Sequence, residues 1–259
     1  MNLLHRAIRN FGLASISKQT LYKMTCGRTY ADVPECMPEQ INFTPSFVKL
    51  PPKSGQFKKQ KFDYFLVLDF EATCDSPKTL VPQEVIEFPV LKVSSLSFEV
   101  ESIFHSYVKP VIHPDLTKFC TQLTGITQDV VDAYPEFEEV FEEFQSWLEI
   151  ENLLDPKTSF VFVTVGNWDL KYLFPVQYKG LRVPYPEYMK RWINLKASFA
   201  DLSTVYPRNM VTMIKYCQLE HEGRLHSGID DCKNIARVLK NLAERGIVYE
   251  LNGGLSFFM

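Results

Sequence analysis

No stretch of this 259-residue chain is apolar for the length that a transmembrane helix needs, so no spanning segment is expected. Paired cysteines are also missing. Cys26, Cys36, Cys74, Cys120, Cys217 and Cys232 are scattered, with no C-x-x-C among them. That argues against a zinc knuckle or a disulfide framework and for reduced thiols in an intracellular protein. There is no internal repeat. Acidic residues are absent from Met1 to Tyr30, which nevertheless holds Arg6, Arg9, Lys18, Lys23 and Arg28. Beyond residue 60 the shortage reverses: nineteen Lys/Arg stand against twenty-eight Asp/Glu. An acidic domain binds polyanions poorly, because that affinity rests largely on neutralising phosphates. If it handles them at all, bound cations should supply part of the positive charge.

What is present fits one large domain with extensions. In residues 1–30, Leu3, Leu4, Ala7, Ile8 and Phe11 recur at helical spacing among the basic residues. This resembles a mitochondrial transit peptide; a disordered basic tail, leaving the protein cytoplasmic or nuclear, is the alternative. Residues 31–61 contain Pro34, Pro38, Pro45, Pro51 and Pro52 and read as a linker or wrapping arm. A domain is expected over 62–250, with a short tail at 251–259. The apolar run Tyr64-Phe65-Leu66-Val67-Leu68 predicts a strand buried on both faces. Val85–Val93 and Phe98–Val108 predict two more strands, and Phe160–Val165 and Trp192–Leu195 a fourth and fifth. Phe137, Val140, Phe141, Phe144, Trp147 and Leu148 form one helical stripe. A last helix is expected from about Gly228 to Arg245, stopped by Gly246. The order of elements describes an α/β fold with a mixed five-stranded sheet.

Three places carry acids in unusual settings. Asp69-Phe70-Glu71 ends the first buried strand, where side chains two apart share a face and two close carboxylates call for a cation or a shared proton. Asp169 follows the Phe160–Val165 strand, at the carboxyl end where α/β ligand sites gather; an N-terminal helix cap is the alternative. On the last helix, Asp231 shares a stripe with Ile235, Val238 and Leu242, whereas Asp230 shares one with Asn234, Arg237 and Asn241. Asp231 is therefore expected to face inward and Asp230 water. A buried acid must be paired, hydrogen-bonded or bound to a metal. His221-Glu222 with His226 does not make a zinc-protease motif, because the histidines are five apart with Gly223 between. Gly253-Gly254 opens no helix and is no phosphate cradle.

In order, D-x-E, a later Asp and H-x4-D resemble the DEDDh exonuclease superfamily, which has an RNase H-like fold with helices on both faces of the sheet. The segments Leu66–Cys74, Glu84–Pro89, Leu123–Ile126, Gly166–Asp169, Trp192–Asn194 and His226–Ala236 are similar to those of the ERI-type exoribonucleases. The resemblance covers about 62–250. It implies a metal-dependent 3′–5′ exonuclease acting on RNA with a free 3′ end, a DNA-trimming enzyme or a non-catalytic RNA-binding adaptor being the alternatives. It implies two divalent cations, Mg²⁺ or Mn²⁺, held by Asp69, Glu71, Asp169 and Asp231, with His226 as general base. Phe70, Thr73, Thr124 and Trp168 match positions that hold the terminal nucleotides. No protein partner is implied.

Overall fold

A computed structural model describes residues 49–181 and 183–255. The basic segment 1–30, the first part of the Pro-rich stretch and the last four residues lie outside the described residues.

The apolar run forms β1 (Tyr64–Leu68), the middle of a seven-stranded sheet. It pairs antiparallel with β3 (Val85–Ser94) and parallel with β5 (Phe160–Thr164). β4 (Val100–Tyr107) pairs with the other edge of β3, and β6 (Arg191–Asn194) continues from β5. The sheet is thus mixed, as expected, but has two strands more. Both extra strands are two residues long: β2 (Glu71–Ala72) on β3 and β7 (Gly253–Gly254) on β6. Two residues carry no periodic signal. Gly253 lies so close to the Trp192 indole that a Cβ there would overlap it, which is why glycine stands at this edge.

Alternation along β1 divides the interior in two. Phe65 and Val67 face α7 (Gly228–Glu244), α5 (Leu195–Ser203) and α6 (Met210–Tyr216), together with Ile235, Val238, Leu239, Phe199 and Met213. Leu66 and Leu68 face α3 (Phe137–Ile150), with Phe88, Phe141, Phe144 and Phe174. Aromatic rings fill this second side: Phe88 sits 4.9 Å from Phe144 and 5.3 Å from Phe104. Such tilted and edge-on pairs add to the burial of each ring. The Phe137 stripe is buried as expected, apart from half-buried Trp147, whose indole donates to Ser102 Oγ at 3.1 Å. Two short helices, α1 (Lys118–Thr124) and α2 (Gln128–Asp132), follow β4, and α4 (Phe174–Tyr178) follows β5. Among the described residues no helix is long and apolar enough to cross a membrane.

The stretch from Leu50 to Lys61, expected as a linker or arm, lies on the domain. Leu50 and Phe57 pack against the α7 side, with Phe57 4.6 Å from Phe98 between ring centroids. Ser54 N donates to Glu244 O at 2.7 Å, and Gln60 bridges to Ile247 and Tyr249. This wrapping has neither strand nor helix period, so no pattern in the residues marks it. Phe57 is half-buried, and Phe57→Ala should lower the unfolding free energy by about 2 kcal/mol. Urea denaturation checks this; an unchanged midpoint at equal slope would show that the arm contributes no packing.

Candidate active site

β1 stops at Leu68 and β2 begins at Glu71, so the D-x-E triplet straddles a break between strands. Phe70 turns its ring into the α3 side, 4.8 Å from Phe88 and stacked 6.2 Å from Phe174. Its N–H donates to Asp169 Oδ1 at 3.1 Å. Asp169 is the first residue of a π-helical turn (Asp169–Leu173) that starts five residues past the end of β5, and Trp168 holds the cap position. The carboxylate of Asp169 therefore reaches the end of β1, where the sheet brings β5 alongside.

Helix α7 and the segment before it supply the remaining groups. Asp231 is 3 % exposed, as its apolar stripe predicts. Its Oδ2 accepts from His226 N at 2.9 Å, and His221 Nε2 lies 3.5 Å from Oδ1 without hydrogen-bond alignment. His226 has φ +61°, a left-handed conformation uncommon outside glycine and costly unless its surroundings enforce it. Glu71, His226 and Asp231 each offer one ligand atom, all within 4.8 Å of one another.

The companion expectation for Asp230 needs correction. Its stripe is polar but not solvated: Asn234 is 0 % and Asn241 3 % exposed. These side chains bind the backbone of the segment before α7, Asn234 exchanging bonds with Glu222 N and O at 3.1 and 2.7 Å. Asp230 Oδ2 accepts from Arg224 N at 3.0 Å and Oδ1 from Lys233 Nζ at 3.0 Å. Polar residues here hold a loop that itself has few apolar groups to bury, so polarity did not mean exposure.

The electrostatics match a cation site. Burial, then the charges of Asp231, Glu87 and Asp169, push the Glu71 carboxyl well above the usual range. Burial is also the largest cause that raises Asp231, to about 6. Burial and the Arg224 cation lower His226, although its surface is exposed. A buried Asp231 oxygen without a hydrogen bond, beside a second buried carboxylate and an imidazole, suits a hard divalent ion.

The four nucleotide-holding candidates are placed unevenly. Trp168 is half-buried, whereas Phe70, Thr73 and Thr124 are 4 %, 1 % and 3 % exposed. Thr73 Oγ1 accepts from Glu84 N at 2.9 Å, and Thr124 Oγ1 donates to Cys120 O at 2.9 Å. The ring of Phe70 belongs to the core, which a triplet read as a strand end could only suggest by its direction. Glu87, behind Glu71, was missed; a lone acid inside the apolar run 85–93 was the signal available.

The exonuclease family model matches residues 66–239. The chain is 51% identical over 195 residues to "ERI1 exoribonuclease 3" of Homo sapiens, covering 75% of this chain and 58% of that protein. It is 35% identical over 209 residues to "3'-5' exoribonuclease 1" of Homo sapiens, covering 79% and 59%. The chain thus spans less than two thirds of the length of these curated relatives. Among solved structures, the nuclease domain of 3'hExo, a DEDDh family member bound to rAMP, superposes with a TM-score of 0.72 at 34% identity, covering 76% of this chain and all of that one. A 3'-exonuclease structure described by its recognition of a histone mRNA stem-loop gives 0.73 at 32% identity, covering 79% and 71%. The acids at the end of β1, the histidine before α7 and these likenesses agree: the chain belongs to the exonuclease family, in its ERI-type DEDDh branch.

Proposed function

We propose that this protein is a 3′–5′ exoribonuclease, hydrolysing phosphodiester bonds from the 3′ end of single-stranded RNA or of RNA overhangs. The observation that carries the reading is the meeting of Glu71, His226 and Asp231, from two distant segments, in one cluster whose two carboxylates are buried. Its relatives bear exoribonuclease names, and a solved DEDDh nuclease domain 34% identical to this chain is bound to rAMP. Membership of the DEDDh branch implies divalent metal ions. We assign two, Mg²⁺ or Mn²⁺, to Asp69, Glu71, Asp169 and Asp231, where they would clamp the scissile phosphate and stabilise the attacking and leaving oxygens. Four carboxylates roughly cancel the charge of two such ions.

His226 takes the proton from the attacking water. With its pKa lowered, the imidazole is in its basic form at neutral pH, as that role requires. Water adds to phosphorus, and the 3′ oxygen of the penultimate nucleotide leaves, releasing a nucleoside 5′-monophosphate. Trp168 offers a ring for stacking on a base, which discriminates little between sequences. Phe70, Thr73 and Thr124 are assigned with it to holding the terminal nucleotides, Thr73 and Thr124 being fixed by their own hydrogen bonds. The reaction is assigned to residues 62–250, with 50–61 as a packed arm. Residues 1–30 are assigned to targeting; diffuse fluorescence of a reporter fusion would remove that role.

Asp69→Asn or Asp231→Asn should abolish hydrolysis while the protein stays folded, and EDTA should do the same. Matched RNA and DNA oligonucleotides and a circular single-stranded RNA complete the assay. Efficient cutting of the circle would mean an endonuclease, and a preference for DNA would replace the substrate. His226→Ala should lower turnover by about 10² to 10⁴ and leave the metal dependence of RNA binding unchanged. Calorimetry showing metal affinity lost as severely as in Asp231→Asn would make His226 a ligand instead.

The raised pKa of Asp231 also sets a pH dependence. In the metal-free protein the native state keeps a proton that the unfolded chain releases, so stability falls as pH rises from about 4 to about 6. Asp231→Asn removes that loss. The melting temperature of the variant minus that of the wild type, measured in EDTA, should therefore grow across this window. A difference independent of pH would show that Asp231 is ionised throughout.

A further inference from the structure

Glu87 lies in the interior of β3, is 1 % exposed, and has no part in the chemistry above. Its Oε2 accepts from Gly228 N at 2.9 Å, and its Oε1 accepts from Ile229 N at 3.1 Å. These are the first two residues of α7, and Asp231 is the fourth. Ser227 holds the cap position of that helix, yet its side chain makes no capping bond. The free amides at a helix start are ordinarily satisfied by a side chain next to them in sequence. Here the carboxylate comes from a strand 141 residues away.

The difference matters because a local cap moves with its helix, whereas Glu87 ties the helix to the sheet. Glu87 is the register partner of Glu71 across β2 and β3. The helix start also rests on the end of β1: a Cβ on Gly228 would fall 2.7 Å from Asp69 O and 3.2 Å from Glu87 Cδ. Only glycine allows that approach. One buried carboxylate therefore touches the segment that presents Asp231 and sits opposite the residue that presents Glu71. His105 Nε2, 2.9 Å from Glu87 Oε1, holds it from the β4 side.

We propose that Glu87 is a positioning residue that fixes the separation of Asp231 from Asp69 and Glu71, with His105 orienting it. It sets the affinity of the acidic cluster for divalent cations without touching them. This rests on the reading of the cluster as a cation site.

The contrast is Glu84, another buried carboxylate, which accepts from the amides of Val111, Ile112 and His113 at 2.6 to 3.0 Å. It anchors a loop and none of the acids. The test titrates MnCl₂ calorimetrically into the metal-free full chain, as wild type, Glu87→Gln, His105→Phe and Glu84→Gln. The glutamine at 87 keeps the size of the side chain but sets an N–H₂ group against helix N–H donors. Its Kd for Mn²⁺ should rise about 10- to 100-fold, the usual effect of disturbing groups behind metal ligands. Amide exchange at Gly228 and Ile229 should quicken in the same metal-free sample. His105→Phe, at a site 30 % exposed by side chain, should raise Kd by a smaller factor. Glu84→Gln should lower the melting temperature and leave Kd unchanged. A wild type that binds no Mn²⁺ overturns both this inference and the cation site. A binding wild type with a folded Glu87→Gln of equal Kd overturns the inference alone. If Glu87→Gln does not fold, His105→Phe decides: an unchanged Kd with unchanged amide exchange overturns it.

Discussion

Like charges moved out of water repel more strongly as the surroundings become less polar. At the end of β1 the chain collects Glu71, Asp169 and Asp231 in a buried space, with Glu87 behind them. Nothing among these acids favours the arrangement; burial first, and their mutual repulsion second, raise the pKa of Glu71. They are held by what lies around them. Two apolar layers clamp the sheet from opposite faces, and the acids stand where its central strand runs out. A cation relieves the repulsion, so the apo form stores an unfavourable interaction that ligand binding removes.

That arrangement explains why so many surrounding backbone amides point at carboxylates. Phe70 N, His226 N, Gly228 N and Ile229 N each meet a carboxylate oxygen of the cluster or of Glu87. Backbone donors stabilise ionised carboxylates and cannot be removed by substitution of a side chain. The His226 backbone is strained in the same loop where Asp230 fastens Arg224 N, so the loop is shaped from both ends. A loop with many side-chain-to-backbone bonds and few apolar contacts keeps its form without a core of its own.

The residues announced the main strands and the long helices because those elements bury periodic faces. The inward aim of Asp231 followed from its apolar stripe, and the break after Leu68 left Phe70 pointing away from Asp69 and Glu71. What escaped had no period to read. β2 and β7 are each two residues long, and the 50–61 arm is extended. Asn234 and Asn241 looked solvated because they are polar, yet their partners are backbone groups of a segment twelve to twenty-four residues earlier, which no stripe reports. The tie between Glu87 and α7 is longer still. Contacts between distant backbone groups and single side chains leave almost no trace in composition or spacing.

β7 also bears on how the molecule behaves among its own copies. A sheet edge with unpaired N–H and C=O groups is a template for another strand. Along the outer side of β6, Leu255 N donates to Lys190 O at 3.0 Å and Asn252 N to Trp192 O at 3.3 Å, so residues 252–255 occupy those positions. Because Gly253 presses against the Trp192 indole, the same segment also covers a large aromatic surface. A chain cut before Asn252 would keep every residue assigned to the reaction. It would also present an open edge beside an uncovered indole, and its first defect would be colloidal, a tendency to self-associate.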